Sequence, residues 1–188
     1  VTGLVRLRDS QKEYFRSRNG VSLSYVAFSL FALAAALRKN PLANSAWVDG
    51  KIRMNGRVNI GVAVASDDGL VVPVVHDADQ LSVAGLAGAA APLIEKARGG
   101  GLTLEQVQGG TFTLNNTGPL GSVWGGSIIS PPQVAIVNTE AIVKRPVVVE
   151  SDTGDSIAIR QMMNLSLSFD HRSRSKSRPS SHHPLFRS

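Results

Sequence analysis

Two uninterrupted apolar runs constrain this chain more than any other feature. Residues 58–65 (VNIGVAVA) and 69–75 (GLVVPVV) are dense in β-branched side chains and lack the two-residue alternation of a half-exposed strand. Strands of that kind are covered on both faces, or at least well buried. Ser66-Asp67-Asp68-Gly69 reads as the turn between them. The chain is expected to build a layered sheet around these runs.

Helical periodicity supplies the second layer. Residues 2–18 predict an amphipathic helix with Leu4, Val5, Leu7, Tyr14 and Phe15 available for burial, ended by Asn19-Gly20. Ser22-Leu23-Ser24 opens a second helix that runs to Arg38-Lys39 and stops before Pro41. It is apolar on nearly every side, which predicts a central position. A third helix spans 82–98, with Ser82 as cap, Leu86, Ala90, Leu93, Ile94 and Ala97 on one face, and Gly99-Gly100-Gly101 at its end. Residues 103–107 allow one more helical turn. A hairpin at 47–52 turns on Asp49-Gly50. Further strands are predicted at 111–114, 133–137, 141–149 and 156–169, the last two joined by a turn at 152–155. The fold class is α/β, a layered mixed sheet with about three helices. The 188 residues suffice for one domain with a sizeable core.

The formal charge of +6 belongs to one end. Five of the 20 Lys and Arg lie from Arg172 onward, with none of the 14 acidic residues. Residues 1–171 therefore hold 15 basic against 14 acidic side chains. A nucleic-acid role would rest on that end alone, and none is expected. The absence of cysteine excludes disulfides, thiol nucleophiles and thiolate metal sites. No signal peptide is visible at Val1, and the most apolar stretch, 26–37, is far short of the roughly 20 residues of a membrane span. No membrane role is expected.

Two places can carry chemistry. Residues 163–168 alternate, with Leu165, Leu167 and Phe169 on one face and Asn164, Ser166, Ser168 and Asp170 on the other. They deliver His171 to a strand end, between the ionisable Asp170 and Arg172, where it can act as a base or simply be a polar terminus. Asn115-Asn116-Thr117-Gly118 reads as a loop whose amides either close a turn or donate to developing negative charge. His76 reads as an exposed residue at a strand end, and His182 and His183 fall in the basic end. No histidine or carboxylate spacing suggests a metal site. Gly99-Gly100-Gly101 lacks the Lys-Ser/Thr pair of a phosphate loop, and residues 118–126 read as a connection.

Three segments taken together resemble one family. Residues 59–82 read NIGVAVASDDGLVVPVVHDADQLS, 110–142 read GTFTLNNTGPLGSVWGGSIISPPQVAIVNTEAI, and 164–172 read NLSLSFDHR. In this order they resemble the catalytic domain of the dihydrolipoamide acyltransferases of 2-oxo acid dehydrogenase complexes, which is chloramphenicol acetyltransferase-like in fold. The resemblance covers residues 1–172. It implies transfer of an acyl group between a dihydrolipoyl-lysine and coenzyme A, with the lipoyl group carried on a separate domain and coenzyme A as co-substrate. It implies His171 as general base, with Asp170, Arg172 and Asn116 in support. The family places a Ser or Thr hydroxyl in its FT-x-(S/T)-N segment as oxyanion donor; here that position is Asn115, an amide. The partners implied are a homotrimer with the active site between subunits, assembling into a larger core, and the decarboxylase and dihydrolipoamide dehydrogenase components. The setting implied is the bacterial cytoplasm. The NNTG and VKRP segments lean toward branched-chain members.

The chain departs from the family after the histidine. The family reads H-R-x-x-D-G, whereas Ser175 and Lys176 stand at the last two positions here. Residues 173–188 are expected to be a disordered basic tail resembling out-of-frame translation, and the domain to be truncated at both ends. Weak or absent activity is therefore expected of the chain as it stands. The rival expectation is a trimeric scaffold subunit without catalysis.

Overall fold

Local signals place the first elements. In the computed structural model, which describes residues 1–66 and 69–173, α1 (Thr2–Asn19) ends at Gly20 with φ 71°, a left-handed backbone that glycine adopts without Cβ strain. Ser24 caps α2 (Tyr25–Lys39), its hydroxyl accepting from the Ala27 amide at 3.4 Å. β1 (Ser45–Val48) and β2 (Lys51–Met54) form the expected hairpin, with Asp49 and Gly50 both at positive φ. Ser82 caps α3 (Val83–Arg98), accepting from Gly85 at 3.2 Å. Thr103 and Gln106 form a capping box on the short α4 (Leu104–Val107).

The sheet is mixed. β3 (Ile60–Ser66), β6 (Phe112–Asn116) and β7 (Ala135–Thr139) run parallel, and β10 (Leu165–Phe169) closes one edge antiparallel to β7. β4 (Gly69–Val71) and β5 (Val74–Val75) both pair antiparallel with β3. β8 (Val143–Val149) and β9 (Ser156–Met162) stand apart as a two-stranded hairpin that contacts α1. None of the described helices is long and apolar enough to cross a membrane.

Paired residues share a sheet face, so the register sorts the side chains. Ile60, Val62, Val64, Phe112, Leu114 and Ala135 point one way, into a core completed by Leu30, Ala34 and Leu37 of α2 and Leu86, Ala90 and Ala97 of α3. Burying each of the large members stabilises by about 1.5–3 kcal/mol over leaving it in water. Gly61, Ala63, Thr113, Asn115, Asn138, Ser166 and Ser168 point the other way. One face of the sheet is apolar and helix-covered over β3, β6 and β7, with Leu165, Leu167 and Phe169 of β10 exposed at its edge; the other is mostly small and polar, with Ile136 among it.

Several expectations need correction. The run 69–75 is not one strand: Pro73 has no amide hydrogen for the ladder, which divides β4 from β5, and Leu70 is exposed. Residues 67 and 68 of the predicted turn lie outside the described residues. α2 is not central. It buries Ala27, Leu30, Ala34 and Leu37 and exposes Phe31 on its far side, where none of the described elements covers it. α1 has no fully buried residue, and Leu7 and Tyr14 are exposed. Asn115 and Asn116 are not in a loop but end β6. The predicted strand at 156–169 breaks at Met163-Asn164, because β9 pairs with β8 while β10 joins the main sheet.

Candidate active site

His171 stands where the sequence puts it, just past β10, in a 3₁₀ turn formed by His171–Ser173. It is exposed, and its ring lies 5.9 Å from that of Phe169. The turn is built by Asp170. Its amide donates to the Val134 carbonyl at 2.7 Å, anchoring the chain beyond the N-terminal end of β7. Its carboxylate accepts from the Arg172 amide at 3.0 Å and from the Arg172 guanidinium at 2.6–3.0 Å. Its carbonyl accepts from the Ser173 hydroxyl at 2.7 Å, and Ser173 is buried. The Arg172 guanidinium also lies over the Trp47 ring, 4.7 Å from its centroid. Asp170 and Arg172 thus bracket His171 and tie its turn to the β1–β2 hairpin. Residues 174–188, including Ser175, Lys176, His182 and His183, lie outside the described residues.

The hydrogen bonds from Arg172 hold the Asp170 carboxyl below the usual aspartate range. A carboxyl lowered in the folded state adds stability above its unfolded pKa, about 4, and loses it as pH falls through the lower folded value. The pair is near the surface, so the effect is small. Asp170→Asn is expected to lower the thermal midpoint by about one to two degrees at neutral pH. The gap to wild type should narrow as the pH falls below the unfolded value, about 4, and through the lower folded one. Thermal scans at neutral and acid pH check this, and a gap that persists undiminished in acid would show that the carboxylate charge is not what holds the turn.

Asn115 occupies the polar face near the C-terminal end of β6. It pairs in register with Asn138 of β7, which pairs with Ser166 of β10. The three rows are linked. The Asn115 amide donates to Ser127 at 2.8 Å, Ser127 donates to the Asn138 oxygen at 2.5 Å, and the Asn138 amide donates to Ser166 at 3.0 Å. An amide nitrogen carries two hydrogens, so Asn115 has a second to offer. Asn116 turns to the other face, where its oxygen accepts from Thr139 at 3.1 Å and from the Gly118 amide at 3.3 Å. It shapes the strand end rather than the polar face. Below that turn Thr117 donates to the buried Glu140 at 2.5 Å. Gly118 lies so close to the Glu140 carbonyl that a Cβ would stand 2.9 Å from it, which is why only glycine fits.

His171 and Asn115 of one chain do not meet. β6 and β7 run parallel, and Asn115 is level with Asn138. β10 runs the other way, and Phe169 is level with Ala135. The two groups therefore lie at opposite ends of the sheet, roughly 17 Å apart along the strands and about 10 Å across them. No single reacting group spans that gap with hydrogen bonds at both ends. The sequence pointed to both residues; Ser127, Asn138, Ser166 and Trp47 were missed. Alternation marked Ser166 as facing away from Leu165 and Leu167, but only the strand register brings it beside Asn138.

Comparison with known proteins identifies the family. The profile of the 2-oxoacid dehydrogenases acyltransferase family (catalytic domain) matches residues 1–175. The lipoamide acyltransferase component of the Bacillus subtilis branched-chain alpha-keto acid dehydrogenase complex is 46% identical over 172 residues, covering 92% of this chain and 40% of that protein. A crystal structure of a probable dihydrolipoamide acetyltransferase from Listeria monocytogenes is 47% identical, with a TM-score of 0.85 over 91% of this chain and 71% of that one. The Azotobacter vinelandii dihydrolipoamide acetyltransferase superposes with a TM-score of 0.86 at 35% identity, covering 93% and 71% of the two chains. That structure was determined to define the roles of a serine, a histidine and an asparagine in its catalytic mechanism. The present chain spans about two fifths of the curated relatives it matches.

Proposed function

Because the chain belongs to the acyltransferase catalytic-domain family of the 2-oxoacid dehydrogenases, we propose that it moves an acyl group between a dihydrolipoyl-lysine and coenzyme A, as part of the core of such a complex. The working unit is a homotrimer within a larger core. It is served by a lipoyl group on a separate domain and by the 2-oxo acid decarboxylase and dihydrolipoamide dehydrogenase components, in the bacterial cytoplasm. The observation that carries the reading is the pairing of His171, on a turn braced by Asp170 and Arg172, with Asn115 at the far end of one polar sheet face. A group of each kind is needed, and in one chain they cannot act together. Association side by side brings the histidine of one copy to the amide of its neighbour.

The reaction follows from those two groups. A thiol of pKa about 8.5 is mostly protonated at neutral pH, and imidazole is suited to take its proton there. As His171 accepts the proton of coenzyme A, sulfur attacks the thioester carbonyl of the acylated dihydrolipoyl arm. The carbonyl oxygen becomes an oxyanion, and the free N–H of Asn115 from the neighbouring copy donates to it. Collapse of the tetrahedral adduct breaks the bond to the dihydrolipoyl sulfur, which leaves as thiolate and takes the proton back from the imidazolium. Acyl-coenzyme A and the reduced arm are released.

The test is acyl transfer from acyl-coenzyme A to dihydrolipoamide, followed by chromatographic detection of the free coenzyme A and S-acyl-dihydrolipoamide formed. It is run on the chain as it stands and with Ser175→Asp and Lys176→Gly together. Transfer is expected from the second form at no less than about tenfold the rate of the first, since displacement of a base by an ångström costs rates of that order or more. No transfer by either form, under conditions where the protein is folded and assembled, refutes the reading.

A further inference from the structure

Glu140 directly follows β7 and is 2% exposed, yet no ion pair among the described residues involves it. One carboxyl oxygen accepts from the Thr117 hydroxyl at 2.5 Å. The other, Oε1, is buried without a hydrogen-bond partner among the described residues. A buried carboxyl so sparsely served is costly, and the reaction steps above make no use of it. We propose that Glu140 is a positioning residue for acyl transfer: through Thr117 it holds the segment 118–127 in place, and that segment sets the Asn115 amide. The proposal rests on the reading of Asn115 as oxyanion donor and names the group that holds that donor.

The segment needs such a hold. Its large apolar side chains, Leu120, Val123 and Trp124, are exposed, so packing among the described residues does not fix it. Polar bonds do. The Ala141 amide donates to the Ser122 carbonyl at 2.7 Å, and the Asn164 side chain donates to the Val123 carbonyl at 2.6 Å. The Gly125 carbonyl accepts from Asn138 at 3.2 Å and from Ser166 at 2.5 Å. Glu140 meets the segment twice. At its start, Thr117 bonds the carboxyl and Gly118 lies against the Glu140 carbonyl. Farther on, a Cβ on Gly125 would stand 3.5 Å from Oε1, so the backbone passes over the unpartnered oxygen. Two residues later Ser127 lies between Asn115 and Asn138, bonded to both. A shift of the segment moves the Ser127 hydroxyl, and the Asn115 amide that donates to it turns with it.

The test uses the full chain carrying Ser175→Asp and Lys176→Gly and the transfer assay given above. Thr117→Val removes the hydroxyl and keeps the shape. It is expected to lower kcat about tenfold with KM for both substrates within about twofold, because a slightly displaced donor stabilises the transition state less without weakening substrate binding. Thr117→Ser keeps the hydroxyl and is expected to stay within about twofold of the parent. Glu140→Ala is expected to match Thr117→Val, and the two together to cost no more than either alone. The Thr117 pair carries the test if Glu140→Ala does not fold. In the Asn115→Ala background the same changes are expected to cost nothing further, since the donor they place is gone; a merely structural role would cost the same in both. A second readout needs no turnover. The side-chain amide signals of Asn115, followed by NMR, are expected to shift in Thr117→Val and to return in Thr117→Ser. A loss that persists undiminished without Asn115, or Asn115 signals unmoved by Thr117→Val, overturns the proposal. If Asn115→Ala itself costs nothing, the oxyanion reading falls, and the Asn115 signals alone decide whether Glu140 sets that amide.

Discussion

With His171 replaced by alanine, kcat for acyl transfer from acyl-coenzyme A to dihydrolipoamide falls by about 10²–10⁴-fold, with KM for both substrates nearly unchanged. The size follows from the role. Without a base the attack must begin from the small fraction of dihydrolipoamide already present as thiolate, and the leaving coenzyme A thiolate has no proton donor. The substitution leaves the fold alone, because His171 is exposed and the bonds that build its turn come from Asp170, Arg172 and Ser173. Circular dichroism and sedimentation should therefore match those of the parent, measured with Ser175→Asp and Lys176→Gly in both. A loss under about tenfold would remove His171 from the chemistry. Transfer absent from the parent as well, in a protein that still assembles, would favour a scaffold subunit.

What the sequence disclosed about this fold was mostly local. Gly20, Ser24, Asp49-Gly50 and Ser82 act within a few residues of themselves, and each sits where its chemistry predicts. The misreadings came from partner choice. Nothing within residues 156–169 says that the first half pairs with β8 and the second with β7. α2 is apolar all round, yet composition does not reveal that, among the described residues, the helices packed on the sheet lie on one face. His171 was legible because a strand delivers it and two ionisable neighbours flank it. Asn115 was legible as an amide but was placed in a loop, and its coupling to Ser127, Asn138 and Ser166 depends on a three-strand register. Trp47 read as the start of a hairpin; the guanidinium over its ring comes from more than 100 residues away.

That register makes the strongest prediction a complementation. Asn115→Ala is expected to lose about 10²–10³-fold in kcat, the usual cost of one oxyanion donor, and His171→Ala at least as much. Co-expressed in equal amounts under different tags and purified as mixed assemblies, the two inactive chains are expected to recover about one quarter of the parent rate. On the proposed reading, each site draws its histidine from one copy and its amide from the next. In a random mixture half the sites take a histidine from an Asn115→Ala chain, and half of those meet an intact Asn115. A site within one chain gives no recovery, since every copy lacks one of the two groups. The roughly 17 Å between them along one sheet rules out an intrachain site unless the sheet itself rearranges. Recovery should rise and fall with mixing ratio, peaking at equal amounts. A flat, background rate at every ratio would mean that Asn115 and His171 do not share a site, and the oxyanion donor would have to be sought among groups nearer the Asp170 turn.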